Sequence, residues 1–189
     1  MAEAGAPAAR CRLYLSAPAV PPADFATMLE AALHAADVAC IRLTPGPDVQ
    51  SLIRTAQGRG CAALLAGRPD LVASLEADGV HLHDVASYEE ARGQLGPAAS
   101  IGVYCGGSRH LAMEAAEAGA DYVALDPDLE LVLWWAELMV VPVVVELGDA
   151  LDRAGEFIAA GADFICPGEG VWREGNVLGA LRRLVALKA

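Results

Sequence analysis

The chain has 189 residues, 25 of them acidic and 13 basic, for a formal charge of −12 at pH 7. A hydrophobic fraction of 55% excludes a disordered chain, and the length suits one domain with a full core. Acidity without a Lys/Arg cluster excludes nonspecific binding to nucleic acid or to an anionic membrane.

Residues 1–10 are rich in Ala and Pro and lack a basic n-region. They read as a flexible tail rather than a signal peptide, ahead of a single domain over residues 11–189. Eight short apolar runs follow, at 12–16, 39–43, 62–66, 79–82, 100–104, 122–125, 141–145 and 164–166. Their nearly continuous hydrophobicity is that of parallel strands covered on both faces. Helix-period segments lie between them, including 24–35, 49–57, 87–94, 108–118 and 150–160, with a last helix over 176–187. Ser87 with Glu90 has the spacing of a capping box, and Gly119 and Gly161 fall where helix C-caps belong.

An Ala-Asp pair recurs ahead of every second strand, at Asp37, Asp78, Asp121 and Asp163. The recurrence of about 42 residues holds two strand–helix units, which makes eight units in all. Strict alternation of this kind specifies a compact (β/α)8 TIM barrel. An open doubly wound sheet is the competitor, but no Gly-x-Gly-x-x-Gly follows the first strand. The four aspartates precede their strands and therefore belong to the bottom of the barrel, where residues serve stability. Functional residues are expected just after the strands.

Cys11, Cys40, Cys61, Cys105 and Cys166 are odd in number and form no CxxC pair, so they read as small buried hydrophobes in a reducing compartment. The most apolar stretch, 131–145, contains Glu137 and Pro142 and is too short to cross a bilayer. A cytoplasmic location is expected.

Four groups stand at the strand ends. His81 and His83 flank Leu82, so alternation sends both to one side, and Asp84 follows them as a partner or ligand; a packed strand histidine is the simpler reading. Gly106-Gly107-Ser108-Arg109 opens a helix and reads either as an anion seat or as a glycine loop with an ordinary N-cap. Glu146, Gly148 and Asp149 follow the seventh strand, and Gly168 and Glu169 the eighth, where barrels of this type often hold phosphate. The acids there favour a cation or a metal-bridged phosphate. Trp134 and Trp135 are adjacent on a helix after the sixth strand and read as core or subunit-interface packing, with Trp172 a further aromatic for a partner.

Arg68-Pro69-Asp70-Leu71-Val72, Ala77-Asp78-Gly79-Val80-His81-Leu82, Ile101-Gly102-Val103 and Gly119-Ala120-Asp121-Tyr122-Val123 occur in order along the chain. In this set the sequence resembles the thiamine phosphate synthase and thiazole tautomerase family of compact (β/α)8 barrels, over nearly its whole length. The resemblance implies joining of a hydroxymethylpyrimidine diphosphate to a thiazole phosphate, with release of diphosphate and help from Mg²⁺. Carried onto this chain, it implies small-molecule thiamine precursors or phosphate as ligands. Arg42, Arg68, His81, Ser108, Arg109, Gly148 and Gly168 then bind substrate, and Asp84, Glu146 and Glu169 hold the metal.

The chain also departs from the family pattern. Arg42-Leu43-Thr44 stands where the family has Gln-Leu-Arg, Ala66-Gly67 where it has Asn-Asp, and Ala86 where it has a second metal aspartate. Asp126-Pro127 keeps only the proline of a Gly-Pro, and no histidine serves the tautomerase branch after the sixth strand. Two classes of function therefore stand side by side. One is a synthase-type transferase with a rebuilt site. The other is a non-catalytic barrel that binds a thiamine-related ligand or a partner, including a homodimer through exposed tryptophan.

Overall fold

The computed structural model describes residues 11–148, 150–173 and 177–187. The expectation for the tail at residues 1–10 lies outside them, as do Asp149 and the first residue of the expected last helix, Asn176. In chain order the elements are β1 (Arg12–Ser16), α1 (Phe25–Ala35), β2 (Val38–Leu43), α2 (Val49–Gln57), β3 (Ala62–Ala66) and α3 (Pro69–Leu75). Then come β4 (Gly79–Leu82), α4 (Tyr88–Leu95), β5 (Ser100–Gly106), α5 (Arg109–Ala118), β6 (Tyr122–Leu125) and α6 (Leu129–Leu138). The chain finishes with β7 (Val143–Gly148), α7 (Ala154–Ala159), β8 (Phe164–Pro167), α8 (Gly170–Arg173) and α9 (Val177–Ala186).

The eight strands pair in parallel with their sequence neighbours, and β8 closes on β1. Closure excludes the open sheet and leaves no free strand edge. Side-chain alternation then builds two cores. Outward residues such as Leu13, Ile41, Leu65, Val80, Val103, Val123, Val145 and Ile165 meet the helices. Inward residues Tyr14, Cys40, Leu64, Tyr122, Ala124, Val144 and Cys166 fill the barrel.

The recurring aspartates have a structural task. Asp78 Oδ2 accepts from the backbone N–H of Ala63 at 2.8 Å, Asp121 Oδ2 from Ile101 at 2.7 Å and Asp163 Oδ2 from Val143 at 2.8 Å. Each stands immediately before an even-numbered strand and satisfies an amide at the start of the odd-numbered strand beside it. Asp37 pairs instead with the Arg12 guanidinium of β1, at 2.8 Å. The four-fold recurrence is thus a bottom-of-barrel tie between neighbouring strands.

Three local expectations are corrected. Ser87 does not form a capping box: its backbone is already helical, with φ −78° and ψ −7°, no helix amide donates to its side chain, and its Oγ donates to Asp84 Oδ1. The seventh strand starts at Val143 rather than at 141, because Pro142 cannot donate and the Val141 carbonyl accepts from Trp135 Nε1 at 2.8 Å. The helix expected over 150–160 begins as a tight 3₁₀ turn, Leu151–Arg153, before α7. Gly119 and Gly161 do follow α5 and α7 with φ of 101° and 98°, the conformation that ends a helix most cheaply at glycine. All five cysteines are buried and none is in a disulfide.

Candidate active site at the strand C-termini

Closure brings β2, β4 and β7 to face one mouth, where Arg42, His81 and Glu146 meet. The Arg42 guanidinium has five N–H groups, and five contacts take them. Nε and Nη2 reach Ser16 Oγ at 3.3 and 3.1 Å, Nη1 and Nη2 reach the two Glu146 oxygens at 2.6 and 3.2 Å, and Nη1 reaches His81 Nε2 at 2.7 Å. Burial works against the Arg42 charge, but Glu146 outweighs it and holds the guanidinium above its ordinary pKa.

His81 is fully buried. Burial, then the Arg42 charge and then His83, push its pKa well below the ordinary imidazole value, so it is neutral. Arginine can only donate, so Nε2 must be the lone-pair nitrogen and Nδ1 carries the proton. Nδ1–H then donates to Tyr122 Oη at 2.8 Å, and Tyr122 Oη lies 2.9 Å from Tyr14 Oη. Burial raises both phenols well above their ordinary pKa, which keeps them protonated. The site's buried polar atoms are consequently all partnered among the described residues. Strand-end counting passes over Tyr14 and Tyr122, whose signal in the sequence is only their inward alternation.

A second pair completes the mouth. Tyr104 Oη donates to Asp126 Oδ1 at 2.6 Å, and this hydrogen bond, with burial, pushes the Tyr104 pKa up to about 12. On the other side the glycines expected at the phosphate loops come together. A Cβ on Gly168 would lie 2.7 Å from the Gly148 carbonyl oxygen, so the two loops approach at a distance only glycine allows. Gly148 itself has a φ of +54°.

Other expected site residues are placed elsewhere. Arg68 is exposed and chelated by Asp70 at 2.7 and 2.6 Å. Arg109 is exposed and lies over the Trp134 ring, 4.9 Å from its centroid. Ser108 is the N-cap of α5, accepting from the Leu111 N–H at 3.2 Å. His83 is exposed while both His81 nitrogens are engaged within the barrel, so the two imidazoles do not share a ligand. Trp135 and Trp172 are buried and Trp134 is half-buried under Arg109, so the exposed tryptophan expected for a dimer or partner surface is not there.

The carboxylates expected to hold Mg²⁺ do not form a joint site. Asp84 Oδ1 accepts from the backbone N–H and Oγ of Ser87, both at 2.9 Å. Glu146 is bound to Arg42, and Glu169 lines a different groove, of about 890 Å³, with Pro18, Val20, Met28 and Trp172. Among the described residues, no group of three or more His, Cys, Asp or Glu is placed to hold a metal ion. The described side chains do not by themselves make a protein-built metal centre.

A compact closed (β/α)8 barrel with an Arg–His–Glu mouth at the strand C-termini and two touching glycine loops is the class this chain defines. A family model described as thiamine monophosphate synthase matches residues 22–171. The chain belongs to that family. A thiamine-phosphate synthase of Rhodospirillum centenum is 44% identical over 185 residues, covering 86% of this chain and 89% of the relative. One from Hyphomonas neptunium is 35% identical over 216 residues, covering 99% of this chain and 98% of the relative. A solved thiamine phosphate pyrophosphorylase from Pyrococcus furiosus superposes with a TM-score of 0.81 at 22% identity, over 95% of this chain and 96% of that one, a likeness of fold. The protein is a thiamine phosphate synthase-like barrel, and no helix among the described residues is long and apolar enough to cross a membrane.

Proposed function

We propose that the chain is an active thiamine-phosphate synthase working in a reducing compartment, the cytoplasm. The ring nitrogen of a thiazole phosphate attacks the methylene carbon of hydroxymethylpyrimidine diphosphate. A C–N bond forms, the C–O bond to the diphosphate breaks, and diphosphate leaves with the electron pair. The observation that carries this reading is the 44% identity to the Rhodospirillum centenum synthase across 89% of its length. Five buried cysteines outside any disulfide accord with the compartment.

The chain's own groups suggest a division of labour. The Gly148 and Gly168 loops let backbone approach a phosphate closely, and the α5 N-terminus at Ser108 offers amide donors. The neutral wall made by His81, Tyr122 and Tyr14 suits the uncharged heteroaromatic ring. One observation favours the alternative of a ligand-binding barrel without catalysis. The one arginine of the expected three that reaches the interior spends its N–H groups on Ser16, His81 and Glu146.

Purified protein incubated with both precursors and Mg²⁺ is expected to form thiamine phosphate and diphosphate in equal amounts, read by chromatography. It is also expected to rescue a thiamine auxotroph. No product and no rescue, with the precursors still bound in calorimetry, would establish the alternative.

A further inference from the structure

In a mouth meant for phosphates, a carboxylate already sits on the interior arginine. Glu146 grips Arg42 with both oxygens, at 2.6 and 3.2 Å, in the fork geometry that a phosphate would otherwise adopt. Both side chains are largely buried, at 16% and 22% exposure, so solvent competes weakly with the pair. The other Arg42 donors are fixed on Ser16 and His81, leaving no N–H of the guanidinium for a further acceptor.

We propose that Glu146 is a built-in anion that occupies Arg42, and that a phosphate-bearing ligand engages Arg42 only by displacing Glu146. The pairing makes Glu146 a specificity-determining residue: it lowers the affinity of the mouth for a bare diphosphate. It also makes Arg42 a positioning residue while the pair is intact, because Nη1 on Nε2 keeps the His81 proton on Nδ1, directed at Tyr122. The groups that face His81 are Tyr14 from β1, Arg42 from β2, His83 beyond β4, Tyr122 from β6 and Glu146 from β7. None except Arg42 is a fixed cation, so the tautomer depends on this one contact.

The inference rests on the reading that phosphate-bearing substrates enter this mouth, and its test needs no turnover. Calorimetry with inorganic diphosphate, without metal, compares wild type with Glu146→Gln, Arg42→Met and the double variant. Glu146→Gln keeps the shape and one acceptor but removes the charge. It is expected to tighten diphosphate binding about tenfold or more, the worth of a freed charge-assisted hydrogen bond. Arg42→Met alone leaves Glu146 without its cation and is expected to bind diphosphate no better than wild type, and the double variant is expected to lose the Glu146→Gln gain. No gain in Glu146→Gln, or a gain that survives in the double variant, would overturn the proposal. Nitrogen-15 NMR of the ligand-free wild type reads the His81 tautomer directly, with no variant to fold. A proton on Nδ1 supports the pairing and a proton on Nε2 refutes it, whether or not the protein makes thiamine phosphate.

Discussion

Gly102→Ala gives the sharpest test of how the barrel interior is built. Gly102 lies on β5, and the Tyr122 ring of β6 occupies the space its side chain would need. A Cβ there would sit 1.8 Å from Tyr122 Cζ and 2.2 and 2.3 Å from the two ring carbons Cε1 and Cε2. The ring cannot yield without leaving His81 Nδ1 at 2.8 Å and Tyr14 Oη at 2.9 Å. Overpacking of this kind costs about 1–3 kcal/mol, and two buried hydrogen bonds add about 1 kcal/mol each. The expected loss is about 3–5 kcal/mol, or roughly a 10 °C fall in Tm for a chain of this length. Urea unfolding followed by circular dichroism measures it, with Gly93→Ala as the contrast. Gly93 is on α4 with open space around its would-be Cβ, so alanine there is expected to stabilise by about 0.5–1 kcal/mol. A Gly102→Ala variant within about 1 kcal/mol of wild type would refute the packing account.

Asp163→Ala removes the acceptor of the Val143 N–H at the barrel bottom and is expected to cost about 1–3 kcal/mol in urea unfolding, with Asp163→Asn costing less because an oxygen remains. Diphosphate binding at the opposite end is expected to be unchanged per folded molecule. Thiol titration with an aromatic disulfide reagent at pH 8 is expected to find none of the five cysteines reactive on mixing and all five in denaturant. Burial both hides them and pushes the thiols of Cys61 and Cys105 up to about 12.

The strand positions were legible because a parallel strand buried on both faces announces itself as a short apolar run, as at 12–16, 62–66, 79–82 and 122–125. The recurring aspartates were legible as structure because they precede strands. Helix ends were less so: the Ser87–Glu90 spacing is that of a capping box, yet Asp84 lies three residues earlier and takes the Ser87 hydroxyl first. The mouth was legible as a place, and Arg42, His81, Glu146, Gly148 and Gly168 were legible as residues of the strand ends. Their partnerships were not. Sequence charge alone makes the mouth acidic, whereas in the fold Glu146 is neutralised by Arg42, Asp126 accepts from Tyr104 and Asp84 from Ser87.

By itself the sequence determined the eight-unit alternation, the two-unit recurrence and therefore which residues stand at each end of the barrel, because these depend on local periodicity. Only the tertiary structure decided what the charged residues do. Arg42 and Glu146 are 104 positions apart in the chain and meet because the barrel closes. An ion pair across a closed lumen depends on where strands end and which way their side chains alternate, and no local pattern records both at once.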